Sequence, residues 1–223
     1  MSAIGALACV FVVSFLLGSI PWGVIISRVF YHTDVRQHGS GNIGTTNAIR
    51  TMGKKGGYAV FLLDFGKGLV SGLIAWLAFG AVAQGPDAGT LTASYDTIVT
   101  CAFLACILGH IFSPWLHFKG GKGIAVAIGC MFVAFGPVIA LFELAIFAIV
   151  VISTRYVSAG SLAAAIACPF FSLWAFWGNP PAIIMASAAA VVVIWAHRAN
   201  IGRLRAGTES RVGSKKKEGE GKR

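Results

Sequence analysis

The chain has 223 residues, 57% of them hydrophobic and only 12% charged, with a mean hydropathy of +0.78. Soluble domains carry about 25% charged residues, so this composition excludes an ordinary soluble domain and points to a multi-pass membrane protein. The net charge of +10 sits in loops and a tail near the membrane surface. A nucleic-acid partner is disfavoured, because no aromatic residue interrupts the basic tail "RVGSKKKEGEGKR".

The first predicted span covers residues 3–26. No basic residue precedes it and the run exceeds a signal-peptide core, so it reads as a retained span. The polar stretch 28–56 follows, containing "HGSGNIGTTNAIR". Gly39 to Gly44 matches G-x-G-x-x-G, which by itself is a weak signal. A dinucleotide site needs a strand before the glycines and a βαβ unit around them, whereas "RVFYHTDVRQH" lies between two membrane spans. Asp64, 20 residues past Gly44, falls inside the next span, out of a ribose's reach. The glycines therefore read as an anion cradle, where backbone amides curl around a small anion.

The second span, 58–80, holds Asp64 and Lys67, three apart and on one helix face. Charges in a span are costly and usually paired, so these two are predicted to form a buried, structural pair beneath the polar loops. The third span is 96–114. After it comes "HFKGGKG", a second glycine-rich basic loop.

Residues 124–152 would make a helix of about 43 Å at 1.5 Å per residue, too long for one crossing, and Gly136-Pro137 near the middle is a break signal. Charge placement supports a hairpin. Residues 28–56, 116–123, 153–160 and 197–223 hold 17 of the 18 Lys and Arg, while 81–95 and 178–181 hold none. Only a hairpin puts every basic segment on one face, as the positive-inside rule requires. Glu143, alone in its short span, is expected to meet a backbone or serine donor. Spans at 161–177 and 182–196 complete the series. The five cysteines fall in apolar spans with no C-x-x-C pair, which argues against both disulfides and a metal site.

The predicted fold is an all-α membrane protein of seven transmembrane helices, with the N-terminus outside and the C-terminal tail cytoplasmic. Residues 1–210 form one membrane domain with its site at the cytoplasmic face, and 211–223 a disordered basic tail. Every polar cluster opens onto that face: the first two loops, "STRYVSAGS", and "HRANIGRLRAGTES", where His197 and Asn200 lie one helical turn apart. Two glycine-rich basic loops suggest two phosphate-sized anions.

At these loops the sequence closely resembles the bacterial integral-membrane acyl-phosphate:glycerol-3-phosphate acyltransferases. The resemblance rests on "GSGNIGTTNAIR", "GHIFSPWLHFKGGKGIA" and "HRANIGRLRAGTE", with "LDFGKG" and "RYVS" also fitting, and runs nearly end to end. It implies a multi-pass protein of the bacterial inner membrane. The reaction it implies is acyl transfer from acyl phosphate to glycerol 3-phosphate, giving lysophosphatidic acid and inorganic phosphate, the first step of phospholipid synthesis. It implies that Ser40, Gly41, Asn42, Gly44 and Thr46 bind acyl phosphate. Arg50, Lys119, Ser158, His197 and Asn200 would hold glycerol 3-phosphate, with Gly120, Gly121 and Gly123 shaping that pocket and Glu209 a structural acid. The acyl chain would leave between helices into lipid. No metal or cofactor is implied.

An acyl phosphate is already activated, so the chemistry needs positioning and oxyanion stabilisation more than an enzyme nucleophile. Asn42 and Thr46 are the candidate oxyanion donors. His197 is the base by residue type. Alternatively it binds glycerol 3-phosphate, and the departing phosphate takes the proton. Whether the tail contacts the soluble enzyme that makes acyl phosphate stays open in the sequence.

Two other classes fit less well. Acyl-CoA-dependent glycerolipid acyltransferases typically carry H-x-x-x-x-D, but none of the five histidines has aspartate five residues on. An organic-phosphate transporter would use Asp64, Lys67 and Glu143, yet the polar clusters gather at one face and not at the midplane.

Overall fold

The computed structural model describes residues 1–213; the last ten residues of the predicted basic tail lie outside the described residues. Among the described residues the secondary structure is entirely helical. Helix α1 (Ala3–Ser19) starts at Ser2, whose side chain accepts from Gly5 N, and ends before Pro21, which has no N–H to continue it. Helix α2 (Trp22–Tyr31) continues the same apolar stretch.

Helix α3 runs from Thr45 to Val82, 38 residues. It begins well inside what the sequence presents as a loop, and it accommodates the polar segment by breaking at Gly53, where φ is 76°. Helix α4 (Tyr95–Ile111) is the centre of the molecule, the most buried of the long apolar helices. Gly18 of α1 and Gly109 of α4 each abut the other helix's backbone, and Gly68 of α3 and Gly129 of α5 (Ile124–Ala134) do the same. Such small residues let helix axes approach closely where the solvent is lipid.

The 124–152 run divides at Phe135 and Gly136, where the Gly-Pro signal predicts, into α5 (Ile124–Ala134) and α6 (Gly136–Thr154). Helices α7 (Val157–Ala175) and α8 (Pro180–Ala196) follow, and the chain bends by 54° at His197 into the short α9 (Arg198–Arg205). Among the described residues five helices are long and apolar enough to cross a membrane, or six if α8 and α9 count as one bent span. Helix α5, with 11 residues, falls short of the ~20 that a crossing needs. The outer faces of α6 and α7 expose large apolar side chains such as Ile152 and Phe170. All five cysteines are free.

Candidate active site

Asn47 builds the first loop. Its buried side-chain amide donates to the carbonyls of Val35, His38 and Asn42 at 2.9, 3.0 and 2.9 Å, while its Oδ1 accepts from Ser40 N at 2.9 Å. Gly39, at φ 59°, passes so close to Asn47 Oδ1 that any Cβ would collide with it. Asn42 Oδ1 accepts from Gly44 N at 2.9 Å, closing an Asx turn at the start of α3. The Gly41 N–H donates to His38 O, so Gly41 stabilises the loop from outside the cavity it frames. Helix α3 then begins at Gly44 with no side-chain cap, leaving the amides of its first turn open toward the cavity.

The second loop is pinned to α4. Gly120 N donates to Ile111 O at 2.9 Å and Gly121 N to His110 O at 3.1 Å. Those amides are consumed by carbonyls and do not cradle an anion. Gly121 lies where any Cβ would strike the His110 ring. This docking leaves Lys119 exposed, outside the cavity, and turns Lys122 into it. Of the two lysines, Lys122 is therefore the one that faces the cavity. Burial, together with nearby Arg203 and Arg50, pushes its ammonium down to about 8 against the pull of Glu209. Gly123, at φ 81°, starts α5, again without a side-chain cap.

The C-terminal wall is organised by Glu209. Its Oε1 accepts from Ser158 Oγ at 2.8 Å and Asn200 Nδ2 at 2.7 Å, and its Oε2 from Arg203 Nε at 2.6 Å. Burial would raise this carboxyl, but the three donors outweigh it and hold it below its ordinary value. His197, Asn200 and Arg203 recur every three residues and all line the cavity. The His197 Nδ1 lies 2.8 Å from Val193 O. A carbonyl only accepts, so Nδ1 carries the proton and the Nε2 lone pair remains for a substrate.

Beneath these loops Lys67 Nζ sits 2.9 Å from Asp64 Oδ1, 3.0 Å from His110 Nδ1 and 2.8 Å from Ile20 O. Hydrogen bonds join it to His110 and Ile20 and an ion pair to Asp64, so the buried pair expected from sequence is joined by a histidine that the sequence does not announce. Asp64 and His110 form part of the cavity floor, and Lys67 lies behind it.

The resulting cavity holds about 360 Å³. Three helix N-termini without side-chain caps meet at it: Thr45 and Thr46 of α3, Ile124 and Ala125 of α5, and Val157 and Ser158 of α7. Arg203 is matched by Glu209 and Lys67 by Asp64. Among the described residues no carboxylate forms an ion pair with Arg50 or Lys122. The helix ends and these two cations make the site a receptor for anions. It brings together Ser40, Asn42, Gly44, Thr46, Arg50, Gly123, Ser158, His197 and Asn200. It adds Thr45, Asn47, His110, Lys122, Ser161 and Arg203. Of these, the Arg203 position was readable from its three-residue spacing after Asn200.

An apolar pocket lies directly below, sharing Ile124, Ile128, Leu144 and Phe147 with the polar cavity. Glu143 projects into it. Contrary to the expectation of a backbone or serine donor, its Oε1 is buried without a hydrogen-bond partner among the described residues.

The profile of the family described as glycerol-3-phosphate acyltransferase matches residues 8–207. The chain belongs to the glycerol-3-phosphate acyltransferase family. Among curated family members, a glycerol-3-phosphate acyltransferase of Rhodopseudomonas palustris (strain BisB5) is 42% identical over 214 residues, covering 96% of this chain and 100% of its own length. One of Geobacter sulfurreducens (strain ATCC 51573 / DSM 12127 / PCA) is 42% identical over 200 residues, 89% of this chain and 94% of its own. The fold is similar to the crystal structure of PlsY (YgiH), an integral membrane glycerol 3-phosphate acyltransferase, in its glycerol 3-phosphate form. That likeness has a TM-score of 0.79 at 36% identity over 93% of this chain and 96% of that one. The lysophosphatidic acid form of the same protein gives a TM-score of 0.75 at 36% identity, over 93% and 95%. As a glycerol-3-phosphate acyltransferase family member, the chain is an integral membrane protein with a polar site roofed by loops and floored in part by Asp64 and His110.

Proposed function

We propose that this protein transfers a fatty acyl group from acyl phosphate to a hydroxyl of glycerol 3-phosphate, releasing lysophosphatidic acid and inorganic phosphate. The observation that carries the reading is one cavity with three open helix N-termini and two uncompensated cations, joined to an apolar pocket. Two phosphates occupy the polar part, and the acyl chain runs down into the pocket and out to lipid. Ser40, Asn42, Gly44, Thr46 and the first turn of α3 hold the acyl-phosphate head. Arg50, Lys122 and Asn200 hold glycerol 3-phosphate, with Ser158 positioned through Glu209.

In the reaction the glycerol hydroxyl oxygen attacks the acyl carbonyl carbon, forming the ester C–O bond. The carbonyl carbon's bond to the phosphate oxygen breaks, and the phosphate leaves with the electron pair. His197 Nε2 accepts a hydrogen bond from the hydroxyl and aims the nucleophilic oxygen; the proton ends on the released phosphate. Asn42 and Thr46 donate to the developing oxyanion, a contribution of roughly 3–4 kcal/mol for one preorganised donor. Arg50 and Lys122 oppose the repulsion between the two anions.

The same reading orients the chain in a bacterial inner membrane with seven crossings. The α5–α6 hairpin serves as two, the N-terminus faces out, and residues 1–210 form the membrane domain. A paired assay tests the chemistry: labelled glycerol 3-phosphate with palmitoyl phosphate in one tube and palmitoyl-CoA in the other. Lysophosphatidic acid is expected from the acyl-phosphate tube. Product from the CoA tube alone overturns the donor, and no product from either overturns the enzyme reading.

A further inference from the structure

Glu143 is an anomaly in its surroundings. It is 4% exposed and, among the described residues, is the one charged side chain lining a pocket otherwise made by groups such as Phe103, Met131, Phe147 and Cys168. A carboxyl placed among apolar side chains retains an unmet demand for a hydrogen-bond partner. Among the described residues nothing hydrogen-bonds its Oε1, so that atom adds no hydrogen bond to the fold. Small residues on the facing helices, Ala164 and Ala165 of α7 and Ala189 and Ala190 of α8, keep the space beside it open. The pocket's volume is about 50 Å³, room for a short length of chain and no headgroup.

Depth identifies the occupant. On α8 the pocket spans Ala189 to Val193, and His197 ends that helix, so it lies roughly 6–12 Å below the polar site at 1.5 Å per residue. On the reading given above, an acyl chain whose carbonyl sits by His197 passes Glu143 near its middle. Methylenes cannot satisfy a carboxyl; a hydroxyl on the chain can both donate to it and accept from it. We infer that Glu143 is a specificity-determining residue that selects acyl chains bearing a hydrogen-bonding group at mid-chain over plain saturated ones. Sites built to hydrogen-bond a substrate hydroxyl discriminate strongly against the analogue that lacks it.

The test compares kcat/KM for 10-hydroxyhexadecanoyl phosphate and hexadecanoyl phosphate on the full chain in lipid nanodiscs. The wild type is expected to favour the hydroxylated donor by at least about tenfold. Glu143→Leu is expected to bring the ratio to near one, and Glu143→Gln, which keeps hydrogen-bonding atoms, to retain most of it. A wild-type ratio within about twofold of one, or a ratio that Glu143→Leu does not move, overturns the inference. If neither donor yields product with the wild type, the acyl-phosphate reading itself has failed, a separate result. Should the leucine variant not fold, labelling of the wild type with dicyclohexylcarbodiimide gives an independent measure. The hydroxylated donor is expected to protect Glu143 better than the plain one, and equal protection overturns the inference.

Discussion

Asp64 and Lys67 face each other one turn apart on α3 with Nζ 2.9 Å from Oδ1, both side chains only 2% exposed. Removing one partner strands the other's charge away from water, which typically costs 3–5 kcal/mol. Lys67→Met is therefore expected to lower unfolding stability by about that amount, and Asp64→Asn/Lys67→Met to recover part of the loss. Tryptophan-fluorescence unfolding in detergent measures both. A double variant no better than the worse single one would refute charge stranding as the cause.

The first loop depends on one amide. Asn47→Asp keeps an acceptor for Ser40 N–H but loses the donors to Val35, His38 and Asn42. Each buried acceptor left unmatched costs about 1–3 kcal/mol. Expected is a rise in KM for acyl phosphate of at least about tenfold, since the loop that presents Ser40 and Asn42 loosens, with a smaller rise for glycerol 3-phosphate.

Lys122 is expected to make substrate capture pH-dependent. With its ammonium at about 8, one positive charge leaves the cavity as pH rises through that value, so kcat/KM for glycerol 3-phosphate is expected to fall on the alkaline side. This parameter reports the free enzyme. Lys122→Arg keeps the charge and should remove the alkaline limb. The stability effect has the opposite sign: between about 8 and 10.5 the unfolded chain binds more protons at this lysine. Its contribution therefore becomes more favourable to the fold as pH rises across that window.

Glu209 carries the converse dependence. Its carboxyl is held low by Ser158, Asn200 and Arg203, so its stabilising contribution is present above the ordinary value and is lost as pH falls through the depressed one. Glu209→Gln is expected to release Arg203 and Asn200 from their orientation and raise KM for glycerol 3-phosphate about tenfold, with kcat changing less. Equal losses in kcat and kcat/KM would instead place Glu209 in the transition state.

On the proposed reading His197 orients the nucleophile with an Nε2 lone pair, and the amide oxygen of glutamine offers a similar acceptor. His197→Gln is expected to retain kcat at saturating substrate and raise KM. A collapse of kcat would make the imidazole the proton acceptor.

Features decided within a single helix were legible in the sequence, because helical periodicity and the cost of a charge in lipid need no partner to operate. That holds for the helical class, the break at Gly136-Pro137, the Asp64–Lys67 pair, and the shared face of His197 and Asn200. Features that depend on which element a loop touches were not. Lys119 and Lys122 are equivalent in "KGGKG"; Lys122 faces the cavity because Gly120 and Gly121 hydrogen-bond to the end of α4. Asn47 looks like one more polar loop residue until its amide meets carbonyls five to twelve residues upstream. His110 joins the buried pair only because α4 crosses α3 at that level. The extent of α3 into the first loop, and Glu143 Oε1 without a hydrogen-bond partner among the described residues, are likewise outcomes of packing. Local periodicity names which residues share a helix face, and hydrogen bonds between elements decide which faces meet.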